Sequence, residues 1–289
     1  MKPVPALRAV AAAALFAAAL PGLARAQEAP GGPPAERNVF AGDRLTLGVG
    51  LVYGPSYDGS DDYVASPIPV LQGSLAGIAI APRPAGLALD VIPDKRGAKL
   101  GFSFGPVATL SNNRAEQIKD PVVRAAGKLD TAFEIGGNAG ITVNQVLHPF
   151  DSITLSADVK WDVAGAHSGR IVAPSISYAS PLSRGTLVTV SASLRHVDGD
   201  YARYYYSVSP AQSAASGLPR FDAHGGWESW SLGALVAHDL NGNALDGGFS
   251  VVAIGAYSRM INDSAATPYT ALRGDADQWT GLFGLAYTF

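Results

Sequence analysis

The chain has 289 residues, a formal net charge of −3 at pH 7, no cysteine, and only 16% charged against 47% hydrophobic residues. Without cysteine, neither a disulfide framework nor a thiolate metal site is available, and the acidic balance disfavours a nucleic-acid partner, which needs a basic stripe to neutralise phosphates. Charge lies well under the roughly 25% of ordinary soluble domains, yet beyond the N-terminus no apolar run reaches the roughly 18 to 20 residues of a spanning helix. That combination suits a closed sheet whose lipid-facing residues alternate with small polar ones.

Lys2 and Arg8 precede an apolar stretch from Ala9 to Leu20, a break at Pro21-Gly22, and Ala24-Arg25-Ala26 before Gln27. This is the layout of a secretory signal peptide over residues 1–26, cleaved between Ala26 and Gln27, and its apolar run is too short for a membrane anchor. Removing Lys2, Arg8 and Arg25 leaves 18 basic against 24 acidic residues and moves the charge from −3 to −6. Residues 27–43, rich in Pro, Gly and Ala without a period, read as a flexible lead-in. From 44 to 289 the chain reads as one β-barrel.

There the dominant period is two. Ile153, Leu155, Ala157, Val159, Trp161 and Val163 alternate with Ser152, Thr154, Ser156, Asp158, Lys160 and Asp162, which puts every charge on one face. Phe133 to Asn144 and Val188 to Arg195 repeat the pattern. A soluble sandwich alternates too, but these runs are longer than the roughly five to six residues of its strands and suit a tilted membrane crossing. Strands are predicted at 45–53, 65–73, 76–82, 86–92, 99–110, 131–146, 151–163, 168–179, 186–197, 227–239, 247–260 and 278–289. The fold class is therefore all-β, an antiparallel transmembrane barrel of about twelve strands with both termini periplasmic. Pro67, Pro69, Pro82 and Pro84 disturb the ladder of the second to fourth strands.

Short turns near 74, 93–98, 147–150, 180–185 and 240–246 alternate with longer outer connections at 54–64, 111–130, 198–226 and 261–277, as in outer-membrane barrels. The connections at 83–85 and 164–167 are short for outer loops. In the last strand Trp279, Gly281, Phe283, Leu285, Tyr287 and Phe289 share one face, with aromatics at both ends as interfacial girdles require. A strand ending in Phe283, Leu285, Tyr287 and terminal Phe289 looks like the signal read by the barrel-assembly machinery, which is thus an expected partner beside outer-membrane lipid.

Few constellations point to chemistry. His148 and His238 fall on the periplasmic side and His167, His196 and His224 on the outer side, so no Ser/His or Asp/His set converges across the membrane. His196, Asp198, Asp200 and His224 are the one candidate acid/base group, and solvated loop side chains are the favoured reading. No catalytic residue and no cofactor is assigned. Asp58, Asp61 and Asp62 around Gly59 are weak calcium candidates, but an Asx turn is favoured because Asp58-Gly59 is a strong turn signal and the spacing is not that of an EF-hand. Tyr201, Tyr204, Tyr205 and Tyr206 beside Arg203 suit sugar or protein recognition, or, as preferred, a girdle or the packing of a loop folded over the lumen. Glu134, Asp158, Lys160, Asp162 and Arg195 face inward, where they line a pore or form a network that plugs it.

Tyr53-Gly-Pro55-Ser-Tyr57-Asp-Gly59-Ser60-Asp61-Asp-Tyr63, followed by Pro67-Ile-Pro69, resembles the first outer loop and second strand of the MipA/OmpV family. Tyr204 to Val208, Gly217 to Gly226 and Gly281 to Phe289 are similar to it as well, so the resemblance spans about 40–289. It implies an outer-membrane protein whose best-known relative bridges the lytic transglycosylase MltA and a bifunctional penicillin-binding protein, other members being porin-like or adhesive. The expected function is a non-enzymatic scaffold for peptidoglycan-remodelling proteins, with a diffusion channel for small solutes as the alternative and an adhesin third.

Overall fold

The computed structural model describes residues 38–93 and 97–289. The signal peptide, the Ala26–Gln27 cleavage site and the lead-in up to residue 37 lie outside the described residues. A 3-10 turn at Val39–Ala41 leads into β1 (Arg44–Pro55), β2 (Tyr63–Leu75), β3 (Ile78–Arg83), β4 (Gly86–Asp90), β5 (Leu100–Ser111), β6 (Ala132–Asn144), β7 (Ser152–Asp162), β8 (Arg170–Ser183), β9 (Thr186–Val197), β10 (Gly226–Asp239), β11 (Gly248–Met260) and β12 (Asp277–Thr288). Every strand pairs antiparallel with its sequence neighbours, and β1 meets β12 from Thr46↔Thr288 to Tyr53↔Gly281, which closes the barrel. The expected architecture is the one observed. β1 begins and β12 ends at the rim that carries the short turns, the periplasmic rim by the rule for such barrels.

The alternation sorts side chains as the period requires. Leu47, Val49 and Leu51 on β1, Phe102 and Phe104 on β5, Leu155 and Trp161 on β7, and Trp279, Phe283 and Leu285 on β12 are large apolar groups left exposed on the outer wall. Water would penalise so continuous a band, whereas lipid favours it. No helix among the described residues is long and apolar enough to cross a membrane, so the crossing is made by strands. Inside, hydroxyls pair across the ladder: Thr46 with Thr288 at 2.8 Å, Thr142 with Thr154 at 2.9 Å and Ser156 with Ser175 at 3.0 Å.

Three features differ from the sequence expectation. β8 runs on to Ser183 rather than ending at 179, which shortens the turn after it to 184–185. The first turn lies at Ala76–Gly77 rather than near 74, with φ of 51° and 83°. Positive φ at both positions marks the two-residue hairpin turn that matches strand twist, so β3 starts at Ile78 rather than 76, and β4 ends at Asp90 rather than 92. The outer connections also hold short helices that period two does not announce: α1 (Pro121–Ala125), α2 (Gly199–Tyr206), α3 (Pro210–Ser216), α4 (Asn262–Ala266) and α5 (Pro268–Ala271). Asp120, Asp198 and Ser209 cap the first three through side-chain oxygens that accept backbone N–H groups.

Phe283→Arg places a charge on the lipid face at mid-strand and is expected to cost about 2–4 kcal/mol in urea unfolding from vesicles. Ser177→Arg, on the lumen face, should cost far less. Equal losses would contradict this assignment of inside and outside.

Candidate functional site

The first outer loop is built as a clip between the two ends of the barrel. Gly59, with φ of 94°, turns the chain where an added Cβ would lie 2.2 Å from the Thr270 hydroxyl. Its N–H donates to Oε1 of Gln278 at 3.3 Å, its carbonyl accepts from the Asp275 N–H at 3.0 Å, and Ser60 bridges Gly274. Tyr57 is buried and its hydroxyl points at the carbonyls of Tyr269 and Arg273, at 3.5 and 3.4 Å. Burial pushes that hydroxyl up to about 12, so it stays a donor. The Trp279 N–H donates to the Tyr63 hydroxyl at 3.0 Å, while the Tyr53 and Tyr63 rings lie 5.5 Å apart. The motif from Tyr53 to Tyr63 thus fastens the loop after β1 to the one before β12.

Behind this clip the lumen charges pair. Arg195 on β9 lies 3.0 Å from Glu228 on β10 and 3.9 Å from Asp58, and donates to the Tyr201 hydroxyl at 2.7 Å. Tyr206 donates to the same Glu228. Glu134 accepts from Lys160 at 2.6 Å and from Thr109 at 2.8 Å, with His167 Nε2 3.5 Å from its other oxygen. Arg83, at the tip of β3, crosses to Asp158 with contacts of 2.7 and 3.2 Å, and Asn138 donates to Asp158 at 2.6 Å. The Asp162 carboxylate instead accepts the N–H groups of Ala164, His167 and Ser168 and folds the loop between β7 and β8.

An aromatic plug sits on this network. Tyr201, Tyr205 and Tyr206 of α2 are fully buried and pack on Ile171, Val197 and Met260. Arg114 stacks 3.7 Å over the Tyr269 ring and donates to the Tyr205 carbonyl at 3.0 Å. Arg273 binds Asp120 at 2.5 Å and joins the last outer loop to α1. Burial pushes the Asp120 carboxyl up, but Arg273 and the N–H groups of Val123 and Val122 outweigh it and leave it below its usual range. Beside the plug is a cavity of about 1000 Å³, reached by Asn113 and Gln117 from the outer loops and by Asp158, Lys160, Ser177 and Ser191 from the wall.

At the opposite rim the turn from Gln145 to Asp151 is held by one carboxylate. Asp151 accepts the N–H groups of Val146, Leu147 and His148 at 2.8, 2.9 and 3.3 Å and the Tyr178 hydroxyl at 2.9 Å. Nε2 of His148 lies 2.8 Å from the Ser180 hydroxyl. The turn so fixed leaves Leu147 and Phe150 79% and 78% exposed, and Leu182 at the end of β8 and Leu240 after β10 stand exposed at the same rim. Burial raises the Asp151 carboxyl, but the Leu147 N–H, the Tyr178 hydroxyl and the N–H groups of Val146 and His148 outweigh it and hold it at about 2.

Residues 47–289 match the family model of the MltA-interacting protein MipA. The chain belongs to the MipA family. No curated protein matches it. Among solved structures it is similar to an outer membrane channel of Pseudomonas putida F1, with 10% identity, coverage of 90% of this chain and 100% of that one, and a TM-score of 0.42. It is also similar to OprD of Pseudomonas aeruginosa (11% identity, coverage 86% and 94%, TM-score 0.30) and to the toluene transporter TbuX of Ralstonia pickettii (12% identity, coverage 86% and 89%, TM-score 0.34).

In this MipA-family barrel the remaining candidates stand apart. His196 is on the outward face of β9, edge-on to Trp227 with centroids 5.2 Å apart. Asp198 caps α2, Asp200 pairs with Arg203, and His224 pairs with Asp263 at 3.1 Å, so the four do not form one site. Asp58 turns to Arg195, Asp61 is exposed, and the Asp62 carbonyl accepts from the Ser56 N–H and the Ser60 hydroxyl. Among the described residues no three His, Asp or Glu side chains are gathered to hold a metal ion. Glu228, Thr109, His167 and Arg83 are network members that the sequence analysis did not select.

Arg195→Met should destabilise the plug by about 3–5 kcal/mol, because it leaves Glu228 buried without its partner. Arg195→Met/Glu228→Met together should restore much of that loss in urea unfolding, and an additive double variant would contradict the coupling. For Asp151 the folded value is depressed, so its stabilisation of the turn is present above the unfolded value of about 4 and is lost as pH falls through about 2. Amide exchange at Leu147 is expected to accelerate, relative to the intrinsic rate, across that interval and to be fast at every pH in Asp151→Ala.

Proposed function

We propose that this protein is a non-enzymatic scaffold of the outer membrane, exported by a signal peptide cleaved after Ala26 and inserted by the barrel-assembly machinery through the strand that ends at Phe289. At its periplasmic rim it holds a lytic transglycosylase and, with it, a penicillin-binding protein. The observation that carries the reading is the turn from Gln145 to Asp151, which spends four hydrogen bonds on one carboxylate to present Leu147 and Phe150 to the periplasm. A rigid exposed apolar pair loses little conformational entropy on docking, which favours a protein contact. Leu182 and Leu240 extend the surface along the rim. Membership in the family of MltA-interacting proteins supplies the class of partner.

Crosslinking in native envelopes should recover a lytic transglycosylase with the parent chain and lose it with Leu147→Ser/Phe150→Ser, while the variant keeps the heat-modifiable electrophoretic shift of a folded barrel. Undiminished recovery with the variant, or no recovery with the parent, would sink the scaffold reading.

The cavity beside the plug supports a second reading, a diffusion channel of modest bore. Steady ion-selective steps in planar bilayers would favour it. An adhesive role draws less support, because α2 turns its tyrosines into the plug and not to the surface.

A further inference from the structure

Both edges of the β3–β4 hairpin are paired over only three residues, but at the β4–β5 edge the Leu110 and Val91 N–H groups extend the contact to the Ala85 and Phe104 carbonyls. β2 pairs with β1 along its whole length, but with β3 only from Gly73↔Ile80 to Leu75↔Ile78. The reason lies in the backbone. Leu75 and Ile78 flank a two-residue turn and exchange both of their hydrogen bonds, so every second residue from there, Gly73, Leu71, Pro69 and Pro67, directs its backbone groups toward β3. By the same count Ile78, Ile80 and Pro82 direct theirs toward β2. Continued in that register, Pro82 would face Leu71 and residue 84 would face Pro69, so Pro82 and Pro69 remove donors from the facing edges, and at Pro67 the hairpin has already turned back into β4. The tip of the β3–β4 hairpin is instead held on its other side, by pairing with β5 at Gly86↔Thr109 and by the Arg83 side chain, which reaches across to Asp158 on β7.

The opening is at the level of the hydrocarbon. Pro67 lies opposite Leu51, which lies opposite Phe283, and both large side chains are exposed to lipid. On its inner side the lumen is largely apolar, which is unusual for this barrel. Val52 and Val64 line the cavity, Leu282 pairs with Val52, and Ile68 and Val70 share the inward face of β2 with Val64 by alternation, with Ser66, opposite Val52, the polar residue among them. The wall across from them is hydroxylated, with Ser175, Ser177, Ser191 and Ser193 on β8 and β9.

We propose that the seam between β2 and β3 is a lateral portal through which the hydrocarbon chain of a membrane amphiphile enters the lumen, the chain lying on Val64, Ile68 and Val70 and the polar head directed to the serine wall. The missing donors argue against the other use of an open edge, the addition of a strand from a second protein, since an incoming strand needs those N–H groups. Lipid chains are the molecules in contact with the gap from outside, and the apolar strip gives them a surface to follow inward. The portal stands independently of the scaffold reading, which concerns the periplasmic rim.

The absence of cysteine permits a site-specific test. Single variants Leu51→Cys, Ile68→Cys, Val70→Cys and Ser177→Cys are labelled with bimane and reconstituted in phosphatidylcholine vesicles, with and without mid-chain bromination. Leu51→Cys faces bulk lipid and should be strongly quenched. Ser177→Cys faces the lumen behind fully paired strands and should not be. Ile68→Cys and Val70→Cys face the same lumen, so wall thickness alone predicts the behaviour of Ser177→Cys, whereas the portal predicts quenching at least half as strong as at Leu51→Cys. Either strip variant suffices if the other does not fold. Quenching at the strip no greater than at Ser177→Cys would overturn the proposal.

Discussion

Lipid offers a peptide group no hydrogen-bond partner, and every other feature of this barrel follows from that constraint. A strand in hydrocarbon has to be paired on both edges, which is why β1 returns to β12 and why the strands run the length of a tilted crossing. The same constraint makes the seam between β2 and β3 informative. An unpaired edge in lipid is costly in proportion to the groups it strands, and proline, which has no N–H, lowers that cost on the two edges that part. The sequence thus removes donors at the place where the fold removes acceptors.

Charge obeys the complementary rule. Expelled from the lipid face, the ionisable side chains of the strands gather inside, where each is worth having only if it is paired. Arg195 with Glu228, Lys160 with Glu134, and Arg83 with Asp158 are three such pairs, each linking elements that are not held by that contact alone. The first ties the wall to the tyrosines of α2, and the third tethers a hairpin. The polar interior is in this sense a set of fasteners for the outer loops and not only a lining. The family motif from Tyr53 to Tyr63 has the same character, since its bonds to Tyr269, Arg273, Asp275, Gln278 and Trp279 run to β12 and the loop before it and close the barrel above its last rung.

The barrel itself was legible because period two is a local property: Ile153 to Val163 declares its two faces without reference to any other strand. Twelve strands, their order and the side of each histidine could be read in that way. What escaped reading depends on tertiary placement. Glu228 is the clearest case. Strict alternation along β10 puts it on the face of Trp230 and Leu232, toward lipid, but the register shifts between Trp227 and Ser229 and the extra residue is turned inward to Arg195. A bulge is a pairing event, so one strand read alone cannot show it. Arg83 was passed over because it lies on a strand too short to display a period, and its partner is four strands away. The helices of the outer loops were hidden for a different reason: at eight residues or fewer they are not stable by themselves and exist because Tyr201, Tyr205 and Tyr206 have a core to enter.

The lumen is filled in part by the plug and left open in part as a cavity, which bears on how the two ends of the molecule can act. The plug rests on β8 to β11 and is locked to the wall through Arg195, whereas the cavity lies under the first and third outer loops, next to the strands whose ladder is broken. A solute crossing from outside to the periplasm would have to pass the plug's edge and then the charged pairs of Glu134 and Asp158. A hydrocarbon chain entering through the wall bypasses the plug and reaches the cavity from the side of Val64, although Arg83, Asp158 and Lys160 line that cavity too. The rim at Leu147 and Phe150 belongs to the turn between β6 and β7 and hydrogen-bonds to Tyr178 and Ser180 of β8, several strands from the seam between β2 and β3. Entry through the seam and docking at the rim therefore draw on separate strands, and a single barrel has room for both.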